Sequence, residues 1–249
     1  MSRPSCGHIP VFVLAGGQGT RIRSVLGENT PKLLAPLAGQ PFLHHLLGWL
    51  THFGFCEISF GLGHLAAPIV EALQNHADPQ LRLRAVTEPT PMGTAGAIRY
   101  GLQSGVLDPH RSLLVMNGDS MVQTDLTRFV AAHQAKQAAA TLLCVAMQDC
   151  SRFGRITCNG DQQIVRFSEK DTQDHRPGLI NGGFYLFEPA MLEQIQRMPG
   201  PSLEHDVFMG SLPFPLYGYP CDAPFIDFGT PASFAQAHHF FAPSRSDDL

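Results

Sequence analysis

The fold of this protein is decided by residues 11–36, which read VFVLAGGQGTRIRSVLGENTPKLLAP. An apolar run at residues 9–14 leads into a loop of glycines and one hydroxyl side chain: Gly16, Gly17, Gly19 and Thr20. Because glycine has no Cβ, its backbone N–H group can approach an anion closely. Arg21 and Lys32 follow and add positive charge for phosphate oxygens. The stretch therefore predicts a triphosphate-binding loop at the carboxyl end of a first β-strand.

Two other kinds of phosphate-binding loop do not match this stretch. A Walker A loop requires Gly-Lys followed by Ser or Thr, and that string is absent from the sequence. A dinucleotide-binding fingerprint requires a glycine three residues after Gly19, where this chain has Ile22. A purely structural glycine turn stays as the alternative, and the cations Arg21 and Lys32 weigh against it.

Composition excludes several classes of protein. The 249 residues are 44% hydrophobic with a formal net charge of −4, which fits a globular protein and leaves no basic surface for nucleic acid. No apolar run approaches the roughly 20 residues that a membrane helix needs, and the start, MSRPSCGHIP, is too polar for a secretory signal. The six cysteines form no C-x-x-C pair, so we expect reduced thiols and no zinc site. These features predict a cytoplasmic enzyme that binds neither nucleic acid nor a membrane.

Apolar strand-like runs alternate with helical patterns over about the first 150 residues. The predicted strands are residues 9–14, 57–60, 81–86, 113–116 and 140–147. The predicted helices are residues 42–53, 68–76, 94–103 and 126–137. We expect Gly93-Thr94 to provide the N-cap of the third helix. Strands separated by helices of this length indicate a parallel sheet with helices on both faces.

The pattern changes after about residue 150. Residues 155–157 and 164–167 flank Asn159-Gly160-Asp161 and predict a β-hairpin. The remaining predicted elements are strands at residues 179–187 and 225–228 and helices at residues 189–197 and 231–240. No linker separates the parts, so residues 1–249 are predicted to form one domain. Its nucleotide-binding half covers about residues 9–150, and its second-substrate half covers about residues 151–240.

Two aspartates stand directly after strand-like runs. Asp119 belongs to the string Asn117-Gly118-Asp119, and Asp227 belongs to the string FIDFGT. Because ligands of open α/β sheets bind beyond the carboxyl ends of strands, the two carboxylates are placed to share one Mg²⁺. Each aspartate alone fits an Asx turn equally well. The phosphate-binding loop favours the metal site, since triphosphate chemistry generally needs a metal.

Other polar residues stand at predicted strand and helix ends. Glu88 opens EPTPMGTAG, whose small residues allow a base or ribose to lie against the backbone, although an ordinary loop-to-helix junction uses similar residues. Glu169 and Lys170 follow the hairpin and suit a sugar hydroxyl and a phosphate, with a solvated turn as the alternative. Asn181 suits hydroxyl groups, and Ser202-Leu203-Glu204 is typical of a helix N-cap.

The ordered set of motifs resembles the sugar-1-phosphate nucleotidylyltransferases. The resemblance depends on LAGGQGTR, TPKLLAP, EPTPMGTAGAI, MNGDS, FGR, FSEK, INGGFYLF, SLEHD and FIDFGTP, which follow the order of that family from about residue 9 to residue 240. One string would be a weak indication, whereas the whole series is specific. The resemblance implies a three-layer, Rossmann-like α/β fold of the nucleotide-diphospho-sugar transferase type. Such a fold has a mixed, mostly parallel sheet with helices on both faces.

The resemblance also implies roles for individual residues. Arg21 would contact phosphates and Lys32 would stabilise charge at the α-phosphate, while Asp119 and Asp227 would hold Mg²⁺, with Asp119 also counted as catalytic. The residues implied in nucleotide binding are Leu14, Ala15, Gly16, Gly17, Gly19, Thr20, Glu88, Gly93, Thr94 and Asn117. The residues implied in binding the sugar phosphate are Gly154, Glu169, Lys170, Asn181, Gly182 and Glu204.

Within the family, TRIRSV and APLAGQPFL are most similar to D-glycero-α-D-manno-heptose 1-phosphate guanylyltransferases. That similarity implies GTP and a heptose 1-phosphate as substrates, GDP-heptose for surface polysaccharide as product, and a homodimer. Mannose-1-phosphate guanylyltransferases share EP-x-P-x-GTAGAI, and glucose-1-phosphate thymidylyl- and uridylyltransferases match the first loop less well. Two other classes stay open: a non-catalytic nucleotide-binding regulatory module and a cytidylyltransferase for a non-sugar substrate.

Overall fold

The computed structural model describes residues 6–168 and 170–242. Its strands are β1 (Val11–Ala15), β2 (Pro36–Leu37), β3 (Gln40–Pro41), β4 (Glu57–Leu62), β5 (Arg82–Thr87), β6 (Leu113–Asn117), β7 (Ser120–Val122), β8 (Ala140–Met147), β9 (Arg155–Cys158), β10 (Ile164–Ser168), β11 (Gly178–Phe187), β12 (Tyr217–Cys221) and β13 (Phe225–Asp227). Its α-helices are α1 (Arg23–Leu26), α2 (Phe42–His52), α3 (Ala66–Gln74), α4 (Gly93–Gln103), α5 (Leu126–Lys136), α6 (Pro189–Arg197) and α7 (Pro231–Phe241). Among the described residues, no helix has the length and apolarity needed to cross a bilayer.

One large sheet forms the centre of the molecule. Seven strands run in the order β10-β9-β11-β6-β1-β4-β5, while β8 pairs with β11 and β12 pairs with β8. Strands β6, β1, β4 and β5 are mutually parallel, as their separation by helices predicts. Strand β11 runs antiparallel to both β6 and β8, which joins the second half of the chain to the first. The predicted mixed sheet is confirmed.

Helices cover both faces of this sheet. Side chains alternate along a strand, so Val11, Val13 and Leu114 belong to one apolar core while Phe12 and Val115 belong to the other. The first core contains the buried side chains of α2, α3, α5 and α7. The second contains those of α4 and α6. The three-layer architecture therefore follows from strands that are apolar on both faces.

The hairpin of β9 and β10 is positioned at the carboxyl edge of the parallel strands. Strand β11 pairs with β6 through residues 184–187, and its earlier residues extend past the end of β6. There Leu179 and Ile180 pair with Ile156 and Arg155 of β9. The predicted hairpin is confirmed, and it stands on the same side of the sheet as the glycine loop.

The predicted elements end within two residues of the observed ones, and the differences lie in short or irregular segments. Strand β12 was not predicted because its sequence, YGYPC, contains Gly218 and Pro220. It is an edge strand, where proline is tolerated because one side of the ladder needs no donor. The predicted N-cap of α4 is wrong: the helix begins at Gly93 after Met92, and no side chain caps it. The Thr94 hydroxyl instead accepts a hydrogen bond from Leu203 N.

The stability of the sheet should depend on β6, because this strand lies between β1 and β11. We predict that Val115→Ala lowers the free energy of unfolding by about 2 kcal/mol, since the fully buried side chain loses two methyl groups and leaves a cavity. The matched control is Val165→Ala on β10, where the side chain is 60% exposed and the change should stay within about 0.5 kcal/mol. Urea unfolding measures both values. Equal losses would show that β6 does not form part of the core.

Candidate active site

The carboxyl ends of β1 and β6 open into a cavity of about 440 Å³. The glycine loop follows β1 and Asp119 follows β6, so the two predicted phosphate-site segments meet at one edge of the sheet. The predicted site residues that line this cavity are Leu14, Ala15, Gly16, Gly17, Gly19, Lys32, Glu88, Gly93, Thr94, Asn117 and Asp119. Thr20 begins a 3₁₀ turn, Thr20–Ile22, and is not among the described residues that line the cavity.

A side chain would be disfavoured at two loop positions, Gly16 and Gly19, and at Gly63 beside the loop. A Cβ on Gly16 would lie 2.6 Å from Glu88 Oε1, and a Cβ on Gly63 would lie 2.5 Å from the carbonyl oxygen of Gly16. Gly19 has φ +61°, a left-handed conformation that favours glycine. The loop can therefore lie against the ends of β4 and β5 and keep its remaining face towards the cavity.

Glu88 places a nearly buried carboxylate in this cavity. Glu88 directly follows β5 and is 8% exposed. Its Oε2 accepts a hydrogen bond of 2.9 Å from Met92 N. Burial raises the pKa of Glu88, and the hydrogen bond from Met92 opposes that rise. A buried carboxylate with free acceptor positions is suited to a ligand that presents N–H donors.

Two cations and two carboxylates meet beside the phosphate-binding loop. Lys32 Nζ donates a hydrogen bond of 2.6 Å to Asp119 Oδ2. Arg21 and Asp227 lie close to Lys32, around Gly229. A Cβ added to Gly229 would lie 3.6 Å from both Lys32 Nζ and Arg21 Nη2, and 3.0 Å from Asp227 Oδ1. The pairing of β13 with β7 sets Asp227 opposite Ser120, the residue that follows Asp119. These four charged side chains define the charge cluster: Arg21, Lys32, Asp119 and Asp227.

The carboxylates of the charge cluster repel each other. Burial raises the pKa of Asp227, and the negative charge of Asp119 raises it further. The hydrogen bond of 2.7 Å from Gly229 N, together with Lys32 and Arg21, lowers it. A divalent cation would relieve this repulsion, so the pair fits a metal. The described residues contain no group of three or more His, Cys, Asp or Glu side chains that could hold a metal ion. Mg²⁺ commonly takes one or two carboxylates plus substrate phosphates, which is the number of carboxylates that this pair offers.

A second cavity of about 430 Å³ adjoins the first. Asn117 lines both cavities, and the predicted site residues that line the second are Arg21, Gly154, Lys170, Asn181, Glu204 and Asp227. Gly182 is not among the described lining residues, because it packs towards Leu143 and Val145 of β8. Glu169, predicted to bind the sugar phosphate, lies outside the described residues. The charge cluster stands between the cavities, since Lys32 and Asp119 line one and Arg21 and Asp227 line the other.

The far wall of the second cavity carries an amide–carboxylate pair. Asn181 Nδ2 donates to Glu204 Oε1 at 2.5 Å and to the Tyr185 hydroxyl at 2.9 Å. Its Oδ1 accepts from Gly183 N at 3.0 Å, which fixes the orientation of the amide. Glu204 lies near the start of a π-helix, Leu203–Phe208, that Ser202 caps by accepting from His205 N. The predicted N-cap at Ser202 is therefore confirmed.

Four basic side chains among the described residues line the cavities without having been predicted as site residues, and His205 in the second cavity is one of them. Arg23 and His64 line the first cavity, and Arg152 lines the second with its guanidinium 5.4 Å from the ring centroid of Phe153. Arg23 stands two residues after Arg21 and Arg152 directly precedes the FGR string, so both had a local signal. His64 belongs to no motif and reaches the cavity only because β4 is next to β1.

Residues 11–242 match the family model described as "Nucleotidyl transferase". The chain belongs to the nucleotidyl transferase family. The match takes in the glycine loop, the charge cluster and both cavities of this nucleotidyl transferase. The resemblance predicted from the ordered motifs is confirmed.

Relatives and a solved structure agree with this assignment. The nucleotidyl transferase is 32% identical over 232 residues to mannose-1-phosphate guanylyltransferase of Mycobacterium tuberculosis, covering 92% of this chain and 63% of that protein. It is 30% identical over 227 residues to D-glycero-alpha-D-manno-heptose 1-phosphate guanylyltransferase of Aneurinibacillus thermoaerophilus, covering 91% and 95%. The crystal structure of HddC from Yersinia pseudotuberculosis complexed with GMP-PN has a TM-score of 0.80 at 27% identity and covers 94% of this chain and 99% of that chain. The chain thus spans less than two thirds of the mycobacterial relative and nearly all of the heptose 1-phosphate relative.

The wall of the first cavity should depend on close packing at Gly93. Gly93 has φ +71° and a Cβ there would lie 2.5 Å from Pro201 O, whereas Gly105 has φ +72° and nothing within 4 Å. Both Gly93→Ala and Gly105→Ala should bear the left-handed penalty of about 1–2 kcal/mol. Gly93→Ala should lose about 1–3 kcal/mol more, because backbone must move to admit the methyl group. Urea unfolding of the two variants checks the difference, and equal losses would contradict the contact.

Proposed function

We propose that this nucleotidyl transferase joins a nucleoside triphosphate to a sugar 1-phosphate, releases pyrophosphate and forms a nucleotide-sugar. GTP and D-glycero-α-D-manno-heptose 1-phosphate are the proposed substrates. The observation that carries the proposal is the position of the charge cluster between two adjoining cavities of similar size. The first cavity would hold the nucleotide, and the second would hold the sugar phosphate, so their phosphates would meet at the cluster.

The reaction is a single in-line displacement. A phosphate oxygen of the sugar 1-phosphate attacks the α-phosphorus of the nucleotide, a new P–O bond forms, and the bond to pyrophosphate breaks. The attacking oxygen is already ionised near neutral pH, so the reaction requires no general base. Catalysis then depends on alignment and on neutralisation of charge, which Lys32 supplies from the first cavity and Arg21 from the second.

Asp119 and Asp227 would hold the divalent metal that members of the family generally use. Their mutual repulsion in the folded protein supports this role. When bound, Mg²⁺ supplies positive charge at the triphosphate. Lys32 is paired with Asp119 at 2.6 Å in the described state, and a metal on Asp119 would leave the Lys32 ammonium group available to a phosphate oxygen.

Glu88 supports guanine as the base. Guanine presents the N1–H and N2–H₂ donors on one edge, and a carboxylate presents only acceptors, so the two edges are complementary. Glu88 Oε2 already accepts from Met92 N, which orients the carboxylate within the first cavity. Two of the relatives are named guanylyltransferases, and the HddC structure is complexed with GMP-PN.

The sugar assignment depends on the second cavity and on the relatives. Asn181 and Glu204 offer hydrogen bonds to hydroxyl groups, and Lys170 and Arg21 offer positive charge to the phosphate. Glu169 and Gly154 would complete that site. Heptose is favoured over mannose because the heptose 1-phosphate relative is matched over 95% of its length and the mannose-1-phosphate relative over 63%. A homodimer stays a prediction of the resemblance.

The test is a panel of GTP, ATP, UTP and dTTP against heptose, mannose and glucose 1-phosphates with Mg²⁺, followed by pyrophosphate release. We expect the highest turnover with GTP and heptose 1-phosphate, and loss of turnover when EDTA is added. Highest turnover with mannose 1-phosphate would shift the assignment to the mannose enzyme. Nucleotide binding without pyrophosphate release from any pair would instead indicate a regulatory module.

Lys32→Ala should lower kcat by about 10²–10³ in the same pyrophosphate assay, because it removes a charge that stabilises the transition state.

Glu88→Gln should reduce the preference for GTP. The substitution replaces an acceptor with an amide N–H₂ that faces a guanine donor, so kcat/KM for GTP should fall on the order of 10–100-fold. The matched control is Glu193→Gln on α6, where the side chain is 56% exposed and remote from both cavities, and kcat/KM should not change. Steady-state pyrophosphate release at varied GTP measures both. An unchanged kcat/KM for GTP in Glu88→Gln would remove guanine recognition from this residue.

A further inference from the structure

The chain segment before the π-helix rests on the first turn of α4. Leu203 N donates a hydrogen bond of 2.8 Å to Thr94 Oγ1. Pro201 O accepts from Ala95 N at 2.8 Å, and Gly93 has no side chain at the point where Pro201 O approaches it. The amino end of α4, which lines the first cavity, is therefore joined directly to the element that lines the second.

The Thr94 hydroxyl satisfies a donor that water cannot reach. N–H groups in the first turn of a helix have no partner within the helix. Ser202 Oγ accepts from one of them, His205 N, at 3.1 Å, and Thr94 Oγ1 accepts from Leu203 N. The Leu203 residue is 1% exposed, so removal of the Thr94 hydroxyl would leave a buried donor unpaired.

The residue after Leu203 is Glu204, whose carboxylate faces the second cavity. Its Oε1 accepts from Asn181 Nδ2 of β11 at 2.5 Å. The chain of contacts therefore runs from Thr94 on α4, through the backbone of the π-helix, to Asn181. A shift of the backbone at Leu203 would move the Glu204 carboxylate relative to the Asn181 amide.

Arg99, which lies further along α4, also holds this segment. Its guanidinium donates to the carbonyl oxygens of Met198 at 2.7 Å and Gly200 at 2.8 Å. Asp206 Oδ2 accepts from Ser202 N at 2.7 Å and closes the turn that begins the π-helix. Because these contacts fix residues 198–202, the Thr94 hydrogen bond is the remaining polar contact between α4 and the backbone at position 203.

We infer that Thr94 is a positioning residue for the sugar-phosphate side of the reaction. Its hydroxyl fixes the start of the π-helix and thereby holds the Glu204 carboxylate in place to bind a sugar hydroxyl. The inference rests on the proposed function. It assigns the Thr94 side chain a task different from the nucleotide contact that the sequence resemblance implies, although its position on α4 still lines the nucleotide cavity.

Thr94→Val and Thr94→Ser test this role. Valine keeps the shape of threonine and lacks the acceptor, so the KM for the sugar 1-phosphate should rise about tenfold in Thr94→Val, with a smaller change in the KM for GTP. Thr94→Ser retains the hydroxyl and should restore the KM to within about twofold. Steady-state pyrophosphate release with one substrate varied at a time measures both constants. A larger effect on the KM for GTP than for the sugar phosphate would overturn the inference.

A double-mutant cycle separates positioning through Glu204 from a general structural effect. If Thr94 acts through Glu204, Thr94→Val should add little to the KM for the sugar phosphate in a Glu204→Gln background. In a Glu193→Gln background its effect should be fully additive, because the Glu193 side chain is 56% exposed and lines neither cavity. Full additivity with Glu204→Gln would overturn the inference.

Hydrogen exchange supplies a readout that does not depend on turnover. The amides of residues 203–208 should exchange about tenfold faster in Thr94→Val than in Thr94→Ser, while those of α5 should not change. Equal exchange at residues 203–208 would overturn the positioning contact. Lack of pyrophosphate release by the unaltered protein would overturn the proposed function, whereas an active protein whose KM is insensitive to Thr94→Val would overturn this inference alone.

Discussion

The repulsion between the carboxylates of Asp119 and Asp227 is the constraint on which the rest of the site depends. Like charges in a partly buried site repel each other more strongly than in water, so such a pair persists only where positive charge offsets it. Lys32 at 2.6 Å from Asp119 and the nearby guanidinium of Arg21 provide that charge in the folded protein. Burial and the Asp119 charge still raise the pKa of Asp227. The compensation is therefore incomplete, and the cluster is predisposed to take up a cation and phosphates together.

Backbone pairing holds these charges in place. The short ladder of β7 and β13 places Asp227 beside the chain that follows Asp119, although the two aspartates are far apart in sequence. Gly229 allows three of the charged groups to approach a single point, because any Cβ there would lie 3.0 Å from Asp227 Oδ1. A glycine at such a position contributes no side-chain packing, and it allows neighbouring groups to come close to the backbone. Main-chain pairing thus sets the position of Asp227, while Lys32 and Asp119 are joined through their side chains.

The two cavities are linked on both sides of the cluster. Asn117 at the end of β6 lines both, and Gly183 leaves room for its amide on β11. On the opposite side, Thr94 and Leu203 join α4 to the π-helix. A π-helix is uncommon and frequently occurs at functional sites. Glu204 in this π-helix is hydrogen-bonded to Asn181, and Leu203 beside it is hydrogen-bonded to Thr94. The wall of the second cavity is therefore attached to the wall of the first.

Regular patterns made most of the fold predictable. Continuous apolar runs identified β1, β6 and β8, and a proline at position 231 marked the start of α7, because these signals are local and the burial they require is large. Strand β12 escaped prediction since it owes its existence to pairing with β8 and not to its own composition. The expected cap at Thr94 was wrong for a related reason. The Thr94 hydroxyl accepts a hydrogen bond from Leu203 N, which is remote in sequence, and it does not cap its own helix.

The sequence by itself determined the order of the main strands and helices, the family, and the residue types that a phosphate and a metal require. It did so because hydrophobic periodicity and side-chain chemistry are properties of short segments. Only the tertiary structure decided that Arg21 lines the second cavity, that Gly182 packs into the sheet, and that Thr94 serves the π-helix. Those outcomes depend on distances between segments remote in sequence, and such distances are set by sheet register and helix packing once the whole chain has folded.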